Sequence, residues 1–169
     1  MKTFLLALAT IATGLIAGVY YAFSVSINPA FASLPDGAYI EAMNRINVAI
    51  VNPAFSLSFF GAPLLLPVVT WMYARPAFSR KAGYLLAASL IFWIGSLGVT
   101  VAGNIPLNDK LATFVVNGAT AEQAAAARRA FAGAWNNWHT VRTWASIIAL
   151  VLTVMACLTK DAPVQAAKR

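Results

Sequence analysis

Charge is scarce in this chain, and acidic charge is scarcer still. Lys, Arg, Asp and Glu make up 10% of its 169 residues, against about 25% in ordinary soluble domains, while apolar residues make up 60%. A soluble domain of this size would have too few charges for its surface and too much apolar sequence to hide. There is one cysteine, Cys157, and one histidine, His139. A lone cysteine excludes an intrachain disulfide, and no Cys-His zinc spacing exists. Cys157 lies in an apolar run without activating neighbours, so it reads as a packing residue and not a redox centre. The net charge of +7 does not indicate nucleic acid. The basic residues cluster at the ends of apolar stretches and in short loops, where membrane topology and anionic lipid account for them. No basic helix or aromatic-basic sheet motif is present. The implied partner is the bilayer.

Four apolar stretches fill most of the chain, at about residues 4–27, 55–74, 82–103 and 141–158. Each is about 18–24 residues long, enough to cross a hydrocarbon core about 30 Å thick. The fold class that follows is all-α: one integral membrane domain over residues 1–169, built as a four-transmembrane-helix bundle. The first stretch follows Lys2 and resembles a signal peptide, with Ala30-Phe31-Ala32 as a conceivable cleavage site. Its length favours a retained helix, and Gly14 and Gly18 form a small-xxx-small pair suited to helix packing. Gly95 and Gly98 could pack in the same way, within the chain or between chains of a homo-oligomer. The second stretch contains Pro63 and Pro67, which membrane helices tolerate as kinks.

Lys2, Arg75, Arg80, Lys81, Lys160, Lys168 and Arg169 fall on one side of this arrangement, and Arg45, Lys110, Arg128, Arg129 and Arg142 on the other. The short basic loop 75–81 is the most diagnostic piece. The expectation is a multi-pass protein of the cell membrane with both termini cytoplasmic. The longer connections, 28–53 and 104–138, then face outward. Within the first, Ile40, Met43, Ile46 and Ile50 recur at helical spacing, which predicts an extracytoplasmic amphipathic helix on the bundle or in the interface. Glu41 and Arg45 on it are four apart and can pair, for about 0.2–0.5 kcal/mol. Asn52 precedes Pro53, which ends that helix. In the second connection Thr120 and Gln123 form a capping-box pattern. No proline follows until Pro163, so one helix is expected from 121 to about 158. At 1.5 Å per residue it is about 57 Å long and projects well beyond the bilayer.

Polar residues fall in stripes. Thr13, Tyr20, Ser24 and Asn28 share one face of the first helix. Ser89, Trp93, Ser96, Thr100 and Asn104 share a face of the third, and Arg128, Trp135, His139, Arg142 and Ser146 one of the fourth. Such faces avoid lipid and should meet in a polar interior that opens outward. Ser and Thr there also serve simply as helix glue. Asn28, Glu41, Arg45, Asn52, Asn104, Asn108, His139 and Arg142 gather at the outward end as the candidate site. His139 with Glu41 and Asp109 makes a conceivable metal site, but no ligand spacing supports one, and none is assigned. A neutral imidazole acting as general base is simpler chemistry. The alternatives are an interfacial aromatic-belt role for His139 and a snorkelling role for Arg142.

Five segments together resemble the anthrone oxygenase-like family of small four-helix membrane proteins, much of which is otherwise a domain of unknown function. They are Gly18-Val19-Tyr20-Tyr21-Ala22-Phe23-Ser24, Met43-Asn44-Arg45-Ile46-Asn47, Asn52-Pro53, Asn104-Ile105-Pro106-Leu107-Asn108 and Trp138-His139-Thr140-Val141-Arg142. The resemblance covers about residues 8–158. It implies oxidation of an anthrone to an anthraquinone by molecular oxygen, without a cofactor. On that basis His139 would be the base, and Arg142, Asn104 and Asn108 would hold the enolate oxygen. Tyr20, Trp93 and Trp135 would form the aromatic slot, with Asn28, Arg45 and Asn52 also in contact with substrate. The competing class is non-enzymatic: a small bundle that binds a lipophile or scaffolds a partner protein. No inverted repeat supports a transporter. If His139 is the base, replacing it with Ala lowers turnover about 10²–10⁴-fold, and unchanged turnover on a competent substrate removes that role.

Overall fold

A computed structural model of the protein describes residues 1–160, so Lys168 and Arg169 of the charge comparison lie outside the described residues. Among the described residues there are five helices and no strand: α1 (Lys2–Ala32), α2 (Asp36–Ala49), α3 (Pro53–Tyr73), α4 (Arg80–Ala112) and α5 (Ala121–Leu158). All but α2 are long and apolar enough to cross a membrane.

The sequence dictates where several helices start. Asn52 Oδ1 accepts from Phe55 N at 3.0 Å, with Pro53 in the first turn, where its missing N–H costs nothing. Ser79 Oγ accepts from Ala82 N at 3.1 Å. The expected capping box opens α5: Gln123 N donates to Thr120 Oγ1 and Thr120 N donates to Gln123 Oε1. From there α5 runs unbroken for 38 residues.

The four long helices pack as a closed ring in the order α1, α3, α4, α5 and back to α1. Lys2 Nζ donates to Met72 O, and Thr10 Oγ1 lies 3.5 Å from Cys157 Sγ. The start of α1, the end of α3 and the end of α5 therefore share one end of the bundle. One apolar core, including Ile16, Leu66, Leu85, Phe92 and Ala149, fills its length. At the opposite end α2 lies across α5 and the last turns of α4, over a second core of Tyr39, Ile40, Met43, Leu111, Phe131 and Trp135. Arg128 ties this cap together. It donates to the carbonyls of Ala32, the last residue of α1, and of Leu34 just beyond it, and to Asp36 Oδ1 at 3.0 Å, while lying over the Tyr39 ring. Burial pushes the Tyr39 phenol above its ordinary range, and the Arg128 charge partly opposes that.

Helices α1 and α4 run further than hydropathy alone indicates, through Pro29 and Pro106. A wide π-turn precedes each proline, at Phe23–Ile27 and Thr100–Asn104, with another at Phe92–Gly98. A proline has no N–H for the carbonyl four residues back and its ring collides with it. Widening the helix there relieves both problems and lets it continue.

Helix α3 solves the same problem differently. Pro67 leaves the Pro63 carbonyl without its helical donor. Trp93 Nε1 of α4 donates to that carbonyl at 2.9 Å. Close approach of α4 to α5 depends on two glycines. A Cβ on Gly95 would lie 2.6 Å from Ala145 Cβ, and one on Gly103 would lie 2.7 Å from the Trp138 ring. Of the small-xxx-small pair in α1, a Cβ on Gly14 would lie 3.5 Å from Leu150 Cδ1, whereas one on Gly18 would meet nothing within 4 Å. Replacing Trp93 with Phe strands the Pro63 carbonyl. The expected loss is about 1–2 kcal/mol in reversible unfolding from detergent, and an unchanged unfolding midpoint would refute the role given to the indole.

Candidate functional site

Where the bundle meets its cap, α1, α2, α3, α4 and α5 enclose a cavity of about 430 Å³. This lies within the range of about 300–1,000 Å³ usual for small-molecule sites. Its walls are largely aromatic and aliphatic: Phe23 and Ile27 from α1, Ile46 from α2 and Ile50 just past its end, Phe55, Phe59 and Phe60 from α3, and Trp135 from α5. Phe55 and Phe59 stack at 5.3 Å. Polar groups reach the walls at Tyr20, Asn47, Ser56, Thr100, Asn108 and Arg142, the last being the sole charged residue of the lining. Val51 and Phe60 line the cavity and are also exposed, so the mouth opens beside them.

Arg142 is 8% exposed. Its Nε donates to His139 Nδ1 at 3.2 Å, and its guanidinium carbon lies 4.4 Å from the Tyr20 ring centroid and 5.1 Å from that of Trp135. Among the described residues no carboxylate pairs with it. The π-faces of Tyr20 and Trp135 are therefore its main electrostatic partners in the protein.

His139 is 2% exposed and stands behind the wall. Its ring stacks on Trp135 at 4.9 Å and meets the edges of Tyr20 and Phe23. An arginine Nε–H can only donate, so Nδ1 must accept. The ring proton then sits on Nε2, 2.9 Å from Ser24 Oγ, which in turn donates to the Tyr20 carbonyl. Ser24 and Arg142 thus lock one tautomer between them. Thr143 packs against the same nitrogen at 3.5 Å.

Helical spacing brings most of the fourth-helix stripe inward: Trp135, His139, Arg142 and Ser146 are all buried. Tyr20, Asn108, Trp135 and Arg142 meet at the cavity. Trp135 Nε1 donates to Asn108 Oδ1 at 2.8 Å, which leaves the Asn108 amide nitrogen for a ligand. Other candidates do not reach it. Trp93 points outward, 46% exposed, because the π-turn shifts the phase of α4 and places Phe92 inside instead. Asn104 is fully buried, but its Nδ2 donates to the Trp135 carbonyl at 3.2 Å and it does not line the cavity. Asn28 donates to Asn136, Asn52 caps α3, and Arg45 is exposed and lies 4.0 Å from Glu41. These three stabilise or decorate the cap, and none lines the cavity. Nor is His139 a belt residue: Trp138 is the exposed aromatic of that turn.

Sequence reading missed Asn47, a residue of the cavity lining whose Nδ2 is buried without a hydrogen-bond partner among the described residues. It lies in the segment Met43–Asn47 and three residues before Ile50, a signal masked by the apolar periodicity of α2. Phe55, Phe59 and Phe60 were indistinguishable from lipid-facing residues. Among the described residues no group of three or more His, Cys, Asp or Glu could hold a metal ion.

No curated protein and no solved structure matches this chain. The family model for anthrone oxygenase matches residues 55–152, more than half of the 169 residues, from the aromatic wall on α3 through His139 and Arg142. The chain belongs to the anthrone oxygenase family.

Proposed function

We propose that this protein is a cofactor-independent oxygenase of the cell membrane that oxidises a lipophilic, enolisable aromatic ketone of the anthrone type. The single observation that carries the reading is Arg142: a buried guanidinium, unpaired with any described carboxylate, on the wall of an aromatic cavity. Removing a methylene proton from such a ketone creates an enolate whose oxygen needs fixed donors. A preorganised cation in an apolar site supplies them best. Asn47 and Asn108 add amide donors on the same wall.

The chemistry balances with oxygen alone. The methylene proton leaves to water at the mouth, since no carboxylate lines the cavity. The carbanion gives its electrons to oxygen and forms a C–O bond, and protonation gives a hydroperoxide. Loss of water across the remaining C–H and the O–O bond leaves the second carbonyl. His139 has its lone pair directed at Arg142 and stands behind the wall. It therefore serves as a positioning residue that holds the guanidinium, in place of the base role that its titration range had favoured. The mouth beside Val51 and Phe60 admits substrate from the bilayer.

We also place both ends of the chain in the cytoplasm and the cavity on the outer side. Arg142 is buried in the bundle and drops out of the outer charge count, which strengthens the bias set by Arg75, Arg80 and Lys81.

Oxygen uptake and absorbance on a simple anthrone test the activity. Wild type should exceed the spontaneous rate, Arg142→Ala should lose about 10²–10³-fold, and His139→Ala should lose less. No rate above background would refute the oxygenase reading and leave a lipophile-binding bundle. Phe78 and Val115 are both exposed, at opposite ends. In a Cys157→Ser background on intact cells, an impermeant maleimide should label Val115→Cys directly and Phe78→Cys only after permeabilisation. The reverse pattern would invert the topology.

A further inference from the structure

We propose that the cavity is a receptor for planar aromatic monoanions, which it binds in their ground state as anions, before and apart from any turnover. The inference rests on the same cavity as the oxygenase reading, though not on its chemistry. Three observations point to it. The lining carries one charge, that of Arg142, and no acid. Among the described residues no carboxylate offsets that charge, and leaving a guanidinium uncompensated away from water is costly. The rings of Tyr20 and Trp135 recover part of the cost. An anionic oxygen in the cavity would recover the rest.

The second observation is Asn47. Asn47 lines the same wall, and its Nδ2 is a buried donor with no partner among the described residues, so it calls for an acceptor that the protein does not supply. The third is the remaining surface, where Phe23, Phe55, Phe59 and Trp135 offer flat aromatic faces. A single oxyanion at the Arg142 end and a flat apolar body along these rings satisfy all three. A dianion would leave its second charge against hydrocarbon, and a neutral analogue would leave Arg142 uncompensated. Selection should therefore follow the charge of the ligand at constant shape.

The probe pair is anthracene-9-carboxylate and 9-(hydroxymethyl)anthracene, two fluorescent tricycles that differ in charge. Binding is read by fluorescence titration of the purified full chain in detergent, with protein-free micelles as the reference for partitioning. Wild type is expected to prefer the carboxylate by about tenfold or more, the discrimination typical of one charge-assisted contact. Arg142→Gln should bring the two probes within about twofold of each other, and Asn47→Leu should weaken the carboxylate selectively. Equal binding by wild type, or a preference for the alcohol, would overturn the proposal without reference to any variant. So would an intact preference in a monodisperse Arg142→Gln protein. If that variant fails to fold, wild type and Asn47→Leu still decide. A chain that shows this preference but never turns over an anthrone fails only as an oxygenase. A chain that turns over an anthrone without the preference fails only here.

Discussion

A guanidinium held out of water without a described acid beside it is the constraint around which this bundle is organised. Aromatic faces from α1 and α5 lie against Arg142, and His139 accepts its Nε–H. Those partners are themselves fixed. Trp135 is tied to Asn108 through its indole and to Asn104 through its carbonyl, both on α4. His139 is tied to Ser24 on α1. Three of the four long helices thus converge on one side chain through ring faces and hydrogen bonds in an apolar surround, where an unmade hydrogen bond is costly.

The π-turns belong to the same organisation. The turn at Phe23–Ile27 includes Phe23 and Ser24, which face the cavity and His139. The turn at Thr100–Asn104 includes Thr100, within 3.3 Å of the Tyr20 hydroxyl, and Asn104. Both precede prolines that would break an ordinary helix. The backbone irregularity that lets α1 and α4 continue is therefore the one that aims side chains at His139, Tyr20 and Trp135, the partners of Arg142, in keeping with the frequent use of π-turns at functional sites.

How far the sequence revealed this depends on the kind of signal. Hydropathy identified the all-α class and four apolar helices, and the Thr120–Gln123 box located the start of α5. Helical spacing put Trp135, His139, Arg142 and Ser146 on one buried face, because α5 is regular throughout. The same arithmetic failed for Trp93, because it assumes a constant turn and α4 widens just there. It also credited Asn28, Arg45 and Asn52 to the site because they lie at the right end of the bundle. End position alone does not say whether an asparagine caps a helix, bonds another asparagine or faces a cavity. Asn47 and the phenylalanines of α3 were illegible for a related reason. In a membrane protein a cavity wall and a lipid-facing surface share one composition, and three-dimensional packing alone separates them.

The family match and the geometry address different questions. The match places the chain in the anthrone oxygenase family across the helices that carry the aromatic wall and Arg142. We propose that such a site acts by electrostatic preorganisation, with the histidine serving the arginine. That division of labour has a direct signature, because His139 is the sole histidine of the chain. Nitrogen-15 NMR of the histidine-labelled protein in detergent at neutral pH should show a neutral ring protonated at Nε2, with Nδ1 accepting a hydrogen bond. A ring protonated at Nδ1 would contradict the account, because Arg142 would then have nothing in His139 to donate to.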